Sequence, residues 1–304
     1  MISAEPFLKW AGGKRQLIHE IESIFPNKIK ETKQIDCYIE PFVGGGALLF
    51  HLLSNYDVRK AVINDINPDL ILTYRIIKSN PKELIRELKK LENEYLALNE
   101  SQRQAYYYKL RSEFNNNDSN LDGTSEKQNL VRVSLFLALN KTCFNGLFRQ
   151  NSKGEFNVPY GRYKNPKLLN EINILNVSKL LHNVEILNTS YDKIPYSENK
   201  KSLIYFDPPY RPLSNSSSFT KYSKEDFNDE DQITLSKTFR KLSNDGNQLI
   251  LSNSDPTNTD SNDSFFDHLY EDFSIKRISA RRSINSNSNM RGKIRELIIT
   301  NITD

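Results

Sequence analysis

The residues best placed to do chemistry are Asp207-Pro208-Pro209-Tyr210, directly after the apolar stretch Leu203-Ile204-Tyr205-Phe206. An apolar run of that length before a turn signal reads as a buried strand, and open α/β sheets bind ligands at the carboxyl ends of their strands. Each proline fixes its own φ and pushes its predecessor toward an extended conformation. Neither carries an N–H, so the local backbone presents carbonyl acceptors without competing donors. A carboxylate and a rigid carbonyl can then accept from one NH2 group, while the Tyr210 ring offers a face to a planar partner. That suits transfer of a methyl group to the exocyclic amine of a nucleobase. The lone pair of such an amine is delocalised into the ring, and two acceptors favour the more tetrahedral nitrogen of the transition state. A methyl group carried on a sulfonium is already electrophilic, so no metal is required. A strand-ending turn with a solvent-facing Asp would give the same tetrapeptide.

A second group is Tyr38-Ile39-Glu40-Pro41-Phe42-Val43-Gly44-Gly45-Gly46, an F-x-G-x-G pattern on Phe42, Gly44 and Gly46. Glycines after a strand let the backbone approach a ligand closely. Asp65 lies 19 residues beyond Gly46, at the end of the next apolar run, where an acidic residue can bind ribose hydroxyls. Position 49 is Leu49, so the G-x-G-x-x-G dinucleotide fingerprint is absent. This points to an adenosyl cofactor without a pyrophosphate.

A third group, Pro6 to Arg15, contains Gly12-Gly13-Lys14. It fails as a P-loop, because Leu8 stands where the earlier Gly belongs and Arg15 where Ser or Thr belongs. A tight turn flanked by Lys9, Trp10 and Lys14 suits covering a cofactor and touching DNA; a surface arm with one buried Trp would look the same. The fourth group runs from Asn140 to Arg149 and from Phe156 to Tyr163. Aromatics interleave there with Asn, Lys and Arg. Arg pairs with guanine edges and Asn with adenine, and Phe144 suits the gap left by a flipped base. Phe148 and Phe156 equally suit a small local core.

The elements that must position these groups follow from periodicity. Strands are expected over Asp36–Val43, Lys60–Ile63, Asn183–Leu187, Leu203–Phe206 and Gln248–Leu251, with a closing hairpin of Phe273–Ser279 and Ile294–Asn301. Helices are expected over Ala47–Leu53, from the Asn67 cap and Pro68, over Pro81–Phe114, Leu130–Leu139 and Glu230–Leu242. Asn115–Gln128 reads as a polar loop. The pattern is a doubly wound α/β domain, residues 1–73 and 168–304, interrupted by a mainly helical insertion, 74–167.

Bulk properties bound the function. The chain has 304 residues, 37% of them hydrophobic, enough for one large domain with an insertion. Net charge is +4 and the pI about 8.8. The distribution says more: seven basic residues and no acidic one lie between Lys276 and Arg295. Six basic residues and only Glu155 lie between Lys141 and Lys167, and both stretches fit phosphate and base contact. No apolar run is long enough to span a bilayer, and residues 1–10 do not read as a secretory signal. Two isolated cysteines, Cys37 and Cys143, read as reduced thiols of a cytoplasmic protein. Four scattered histidines argue against a metal site.

The four groups, in this order, resemble the Dam-type (D12 class, alpha group) DNA adenine-N6 methyltransferases. The resemblance lies in Phe7–Lys14, Glu40–Gly46, Asn145–Arg149, Gly154–Lys164, Asp207–Tyr210 and Arg282–Ser286, and spans nearly the whole chain. It implies a Rossmann-like core dependent on S-adenosylmethionine, with an inserted target-recognition domain. It implies methylation of adenine N6 in duplex DNA by base flipping, with GATC the expected target. By resemblance Trp10, Lys14, Phe42, Gly44, Gly46, Asp65 and Asp207 bind the cofactor. Asp207, Pro208, Pro209 and Tyr210 form the catalytic group. Lys9, Phe144, Asn145, Arg149, Pro159, Arg162 and Arg282 contact DNA. The family often has Tyr where this chain has Phe144, which keeps stacking but loses a hydroxyl. The polar stretch between Leu251 and Phe265 is longer than the family pattern leads one to expect. A monomer in a bacterial or phage-infected cytoplasm is implied, either alone or paired with an endonuclease in restriction–modification. The D-P-P-Y motif by itself would serve other planar amines, including cytosine N4, or an amide of RNA or protein. A DNA-binding regulator without catalysis is the reading from a different class, and it would leave Asp207 and Tyr210 without a task.

Overall fold

The computed structural model describes residues 2–10, 12, 14–116, 125–196, 201–211, 227–281 and 293–303. Its strands are β1 (Gln34–Glu40), β2 (Asp57–Asn64), β3 (Val184–Leu187), β4 (Leu203–Phe206), β5 (Gln248–Ser254), β6 (Ser274–Arg281) and β7 (Lys293–Thr300). They form one sheet in the order β3-β2-β1-β4-β5-β7-β6. The first five are parallel, and β7 runs antiparallel to both β5 and β6. The last two strands are thus the expected hairpin.

Period-2 alternation divides the sheet between two cores. Tyr38, Ala61, Ile63, Leu203, Tyr205, Ile250 and Ile298 face one side. Ile39, Val62, Ile204, Phe206, Leu249, Leu251, Leu297 and Ile299 face the other. Both faces are apolar because helices cover both, as a parallel sheet requires. On the first face lie α1 (Ile18–Ile24), α2 (Asn27–Thr32), α3 (Ala47–Asn55), α4 (Pro68–Ser79), α5 (Pro81–Leu96), α6 (Glu100–Asn116), α7 (Glu126–Thr142) and α8 (Glu171–Leu180). On the second lie α9 (Asp229–Asn244) and α10 (Phe265–Leu269).

Several elements differ from expectation for identifiable reasons. β1 stops at Glu40 and not Val43, since Pro41 has no N–H to continue a ladder. The helix expected over Pro81–Phe114 is two helices. Asn99 separates them: its Oδ1 accepts from Gln102 N, and Gln102 Oε1 accepts from Asn99 N, a capping box that starts a new helix. The expected loop over Asn115–Gln128 is shorter than that, because Ser125 and Gln128 form another capping box at the start of α7; residues 117–124 lie outside the described part. Asn67 caps α4 as expected, its side chain accepting from Leu70 N. Helices α1 and α2 are too short to show a clear period, and α8, not expected from the sequence, buries Ile174 and Val177.

The expected domain edge at residue 74 falls inside α4. Tyr74 is fully buried and its hydroxyl donates to Gly44 O at 3.0 Å. The core on this face continues without a break from the sheet through α4 and α7 to Phe148 and Phe156.

Candidate active site

The chain passes from β1 outward to β2 and β3, then returns to β4 on the opposite side of β1. The connections therefore reverse between β1 and β4, which opens a crevice at their carboxyl ends. Tyr38 pairs with Leu203 and Ile39 with Ile204, so the Glu40–Gly46 turn and the Asp207–Tyr210 turn leave the sheet side by side.

Asp207 receives Lys14 from the N-terminal arm, with Nζ 2.9 Å from Oδ1. The same Nζ donates to Gly12 O at 2.8 Å and lies 4.3 Å from the centroid of the Tyr210 ring. Lys14 is buried, at 5% exposure, so its charge depends on these partners. Desolvation pushes the Asp207 carboxyl up to about 6, against the pull of Lys14 and with help from Glu296. The Tyr210 hydroxyl donates to Glu296 Oε2 at 2.7 Å. Pro208 is buried and Pro209 exposed. The Pro209 carbonyl accepts from Gln232 Nε2 at 3.1 Å, and Gln232 Oε1 accepts from Asn253 Nδ2 at 3.2 Å. Asn253 Oδ1 in turn accepts from Arg211 N at 3.3 Å. Among the described residues no donor reaches the Pro208 carbonyl, the nearer of the two to Asp207 along the chain.

On the β1–β2 side, Asp65 accepts from Gly44 N at 3.0 Å and Asn67 N at 2.9 Å. A carboxylate has about four acceptor sites, so capacity remains for a ribose hydroxyl. Burial pushes Asp65 up to about 6, against these backbone donors. Glu40 is buried and accepts from the Tyr38 hydroxyl at 2.8 Å; its carboxyl is raised well above the usual range by burial and, less, by Asp207 and Asp65. Gly46 has φ +72, and a Cβ there would stand 2.5 Å from the Tyr74 hydroxyl, so only glycine fits the turn. The Trp10 ring lies on Gly44 and stacks on Phe148 at 5.6 Å. Phe42 stands with Tyr191 and Phe227, ring centroids 5.3 and 5.9 Å away. Carboxyls thus stand at or just beyond the ends of β1, β2 and β4, edged by aromatic rings. This donor set fits a ligand carrying ribose hydroxyls, a planar base and positive charge, as S-adenosylmethionine does.

The recognition segment comes to the same side. Lys9 N donates to Asn140 Oδ1, and Asn140 Nδ2 donates to both Lys9 O and Gly146 O, at 2.9–3.0 Å. Gly146 has φ +64, and a Cβ there would stand 2.3 Å from the Lys9 side chain. Asn145 and Arg162 both adopt left-handed backbone and are exposed. Phe144 is half exposed, at 50%, while Phe148 and Phe156 are core residues. Pro159 is exposed and its carbonyl accepts from Phe144 N at 2.8 Å. Arg149 Nε donates to Asn157 Oδ1 at 2.8 Å, which fixes the guanidinium plane. Burial and the Lys9 charge push Lys141 down to about 8. Arg282 lies outside the described residues.

Sequence reasoning missed Glu296, Gln232 and Asn253, and the tying role of Asn140; the bonds that join these residues to other elements cross 21 to 131 residues of chain. It also left the polar stretch after Leu251 unexplained. Ser252, Asn253, Ser254 and Asp255 are buried; Asp255 meets Arg277 and Arg295, and Asp263 meets Arg211 at 2.6 Å. The stretch is thus a polar brace under the Asp207 turn and the hairpin. Among the described residues no group of His, Cys, Asp and Glu is arranged to hold a metal, and no helix is long and apolar enough to cross a membrane.

Comparison with known proteins agrees with this geometry. Residues 10–284 match the family model described as D12 class N6 adenine-specific DNA methyltransferase. The chain is 50% identical to the type II methyltransferase M.MjaIII of Methanocaldococcus jannaschii, covering 99% of this chain and 100% of that one. It is 40% identical to the type II methyltransferase M1.LlaDCHI of Lactococcus lactis subsp. cremoris, covering 99% and 96%. It is 34% identical to the DNA adenine methylase of Haemophilus influenzae, covering 96% and 92%.

Proposed function

The chain belongs to the D12 class of N6 adenine-specific DNA methyltransferases, and we propose that its target is the adenine of GATC in duplex DNA. It is an S-adenosylmethionine-dependent enzyme of that class. The observation that carries the assignment of roles is the meeting of Asp207, Lys14 and Tyr210 beside the Gly44–Gly46 turn and Asp65.

The cofactor, when bound, supplies a methyl group on a sulfonium. The rest is done by the chain. The flipped adenine rests on the Tyr210 ring, with the N6 hydrogens accepted by Asp207 and the Pro208 carbonyl. Lys14 Nζ now holds that place, so it swings aside as the base enters. Asp207, with its carboxyl near 6, is ionised at neutral pH and takes the surplus N6 proton. Asp65 holds the ribose, and Trp10 and Phe42 with Gly44 and Gly46 line the adenosyl site. Residues 74–167 read the target and residues 1–73 and 168–304 do the chemistry. Lys9, Asn145, Arg149, Pro159 and Arg162, with Arg282 from the basic run, contact DNA, and Phe144 fills the gap in the stack. The resemblance that suggests GATC rests on the Asn145–Arg149 and Gly154–Lys164 segments. It also supports a monomer acting in the cytoplasm. Two of the relatives are type II methyltransferases, which supports a place in a restriction–modification pair.

Labelled methyl transfer to paired duplexes, one with GATC and one with a single changed base, tests the target. N6-methyladenine confined to the GATC duplex is expected; equal label in both overturns the specificity. Arg149→Ala is expected to relax discrimination at one base pair by roughly 1–3 kcal/mol. Equal weakening on every sequence would make Arg149 a phosphate contact. The ionised carboxylates are the working forms and both are raised to about 6. Activity is therefore present above that value and lost as pH falls through it. A kcat/KM profile should show an acid limb near pH 6; activity flat down to pH 5 would remove both carboxylates from these roles.

A further inference from the structure

Tyr210 is held at both of its functional surfaces. Lys14 Nζ covers the ring 4.3 Å from its centroid, and Glu296 Oε2 takes the hydroxyl at 2.7 Å. Glu296 comes from β7, 86 residues further on, where it pairs with Ser254 of β5 and Ile278 of β6. Its neighbour Leu297 faces the second core and Ile298 the first. The alternation therefore turns Glu296 to the face that carries Tyr205 beneath the catalytic turn. A carboxylate seated on a strand paired on both sides is a fixed acceptor, and a phenol donating to a carboxylate makes a stronger bond than a neutral pair.

We propose that Glu296 is a positioning residue for methyl transfer: by holding the Tyr210 hydroxyl it fixes where the ring on which the flipped adenine rests is aimed. This depends on the reading of Tyr210 as the stacking residue. A Tyr ring anchored only through its Cβ swings about χ1; anchored also at its hydroxyl, which lies on the χ2 axis, it keeps one direction, and the in-plane preference of the phenol O–H toward Glu296 disfavours rotation about χ2. Orientation of the base is worth much of the barrier in a reaction that needs in-line approach to a methyl group. Glu296 touches no reacting atom and acts through Tyr210.

Its charge supplies a second readout. Among the described residues the titratable groups that act on Asp207 are Lys14 from the N-terminal arm, Tyr38 and Glu40 of β1, Tyr205 on β4, Tyr210 in its own turn and Glu296 on β7. Lys14 pulls the Asp207 carboxyl down, whereas burial and Glu296 push it up. Removing the Glu296 charge lets the carboxyl ionise at lower pH.

The test compares wild type with Glu296→Ala, Glu296→Gln, Tyr210→Phe and the Glu296→Ala/Tyr210→Phe double variant. The substrate is genomic DNA free of adenine methylation, so the result does not depend on the target sequence. Glu296→Ala is expected to lower kcat roughly tenfold or more with KM for DNA and Kd for the cofactor nearly unchanged. Glu296→Gln keeps an acceptor oxygen and the side-chain shape. It should regain most of kcat at pH 8, while its kcat/KM acid limb, set in the wild type by Asp65 and Asp207 together, becomes less steep because Asp207 ionises at lower pH. In the Tyr210→Phe background, Glu296→Ala should have little further effect on kcat, because the bond it breaks is already gone. The inference is overturned if Glu296→Ala keeps wild-type kcat, if the effects of the two substitutions multiply, or if Glu296→Gln leaves the steepness of the acid limb unchanged. Should Glu296→Ala fail to fold, Glu296→Gln and Tyr210→Phe carry the test alone. A wild-type enzyme that puts no methyl on adenine would sink the functional reading itself, whereas an active enzyme indifferent to Glu296 sinks only this inference.

Discussion

Asp207→Ala is expected to lower kcat by roughly 10²–10³-fold, the scale of losing one preorganised polar contact to a developing charge. The carboxylate accepts from an N6 hydrogen as that nitrogen becomes more tetrahedral, and its bond strengthens along the reaction. The loss therefore falls on kcat and not on KM. Asp207→Asn keeps one acceptor oxygen but no charge, so it should lie between wild type and Asp207→Ala. Lys14 supplies a control. Its ammonium is buried and ion-paired at 2.9 Å, and Asp207→Ala leaves it with Gly12 O and the Tyr210 ring alone. Cofactor affinity should be measured beside kcat, to separate a collapsed arm from a missing acceptor. The defect should also depend on pH in a defined direction. Wild-type Asp207 protonates near 6, so the ratio between wild type and Asp207→Ala is widest at pH 8 and narrows as pH falls below 6. Single-turnover methyl transfer at both pH values reads this. Near-normal turnover in Asp207→Ala would take the residue out of the catalytic group.

The parts of the fold legible in the sequence are those where local chemistry has one solution. Leu203–Phe206 is apolar at every position and ends at two prolines, and the strand has those same limits. Asn67-Pro68 opens a helix because Asn caps and Pro fits the first turn. The Gly44–Gly46 turn and Asp65 declared themselves as residue types at a spacing, and Gly44 N donates to Asp65. The rest depends on distance along the chain. Asn140 reads as the first residue of a base-contacting segment, yet its amide ties Lys9 to Gly146. Nothing local marks Glu296, since a Glu in a basic strand resembles a solvated charge. The Ser252–Asp255 run looks like loop because Ser, Asn and Asp favour turns, but here it ends a buried strand and braces the catalytic turn. The insertion was legible as a change of composition. Its edge was not, because α4 buries six consecutive residues, Asp69 to Tyr74, and so serves the sheet and the helical bundle together.

That shared helix is where the largest stability effect is expected. Arg132 on α7 and Asp69 on α4 are both buried, at 6% and 4% exposure. They form a two-point ion pair, Nε to Oδ1 and Nη2 to Oδ2, the second at 3.1 Å. Arg132 Nη1 also donates to Phe114 O at 3.2 Å, and the guanidinium lies 4.3 Å from the Phe114 ring centroid. One side chain thereby joins α4, α6 and α7. Arg132→Ala removes every one of these contacts and leaves the Asp69 carboxylate buried without its partner. Breaking such a pair from one side destabilises by about 3–5 kcal/mol, mostly through the uncompensated charge. A fall in Tm on the order of 10 °C is expected for Arg132→Ala by calorimetry. Removing both charges relieves the penalty, so Arg132→Met with Asp69→Leu should be far less unstable than either partner's loss alone. Asp69 lies two residues beyond Asn67, in the first turn of the helix that Asp65 precedes. The single variants should therefore also weaken cofactor binding, and the apolar double variant should restore it along with Tm. Loss of less than about 1 kcal/mol in Arg132→Ala is the magnitude of an exposed pair, and it would mean that water reaches this junction and that α7 is tied to α4 by apolar packing alone.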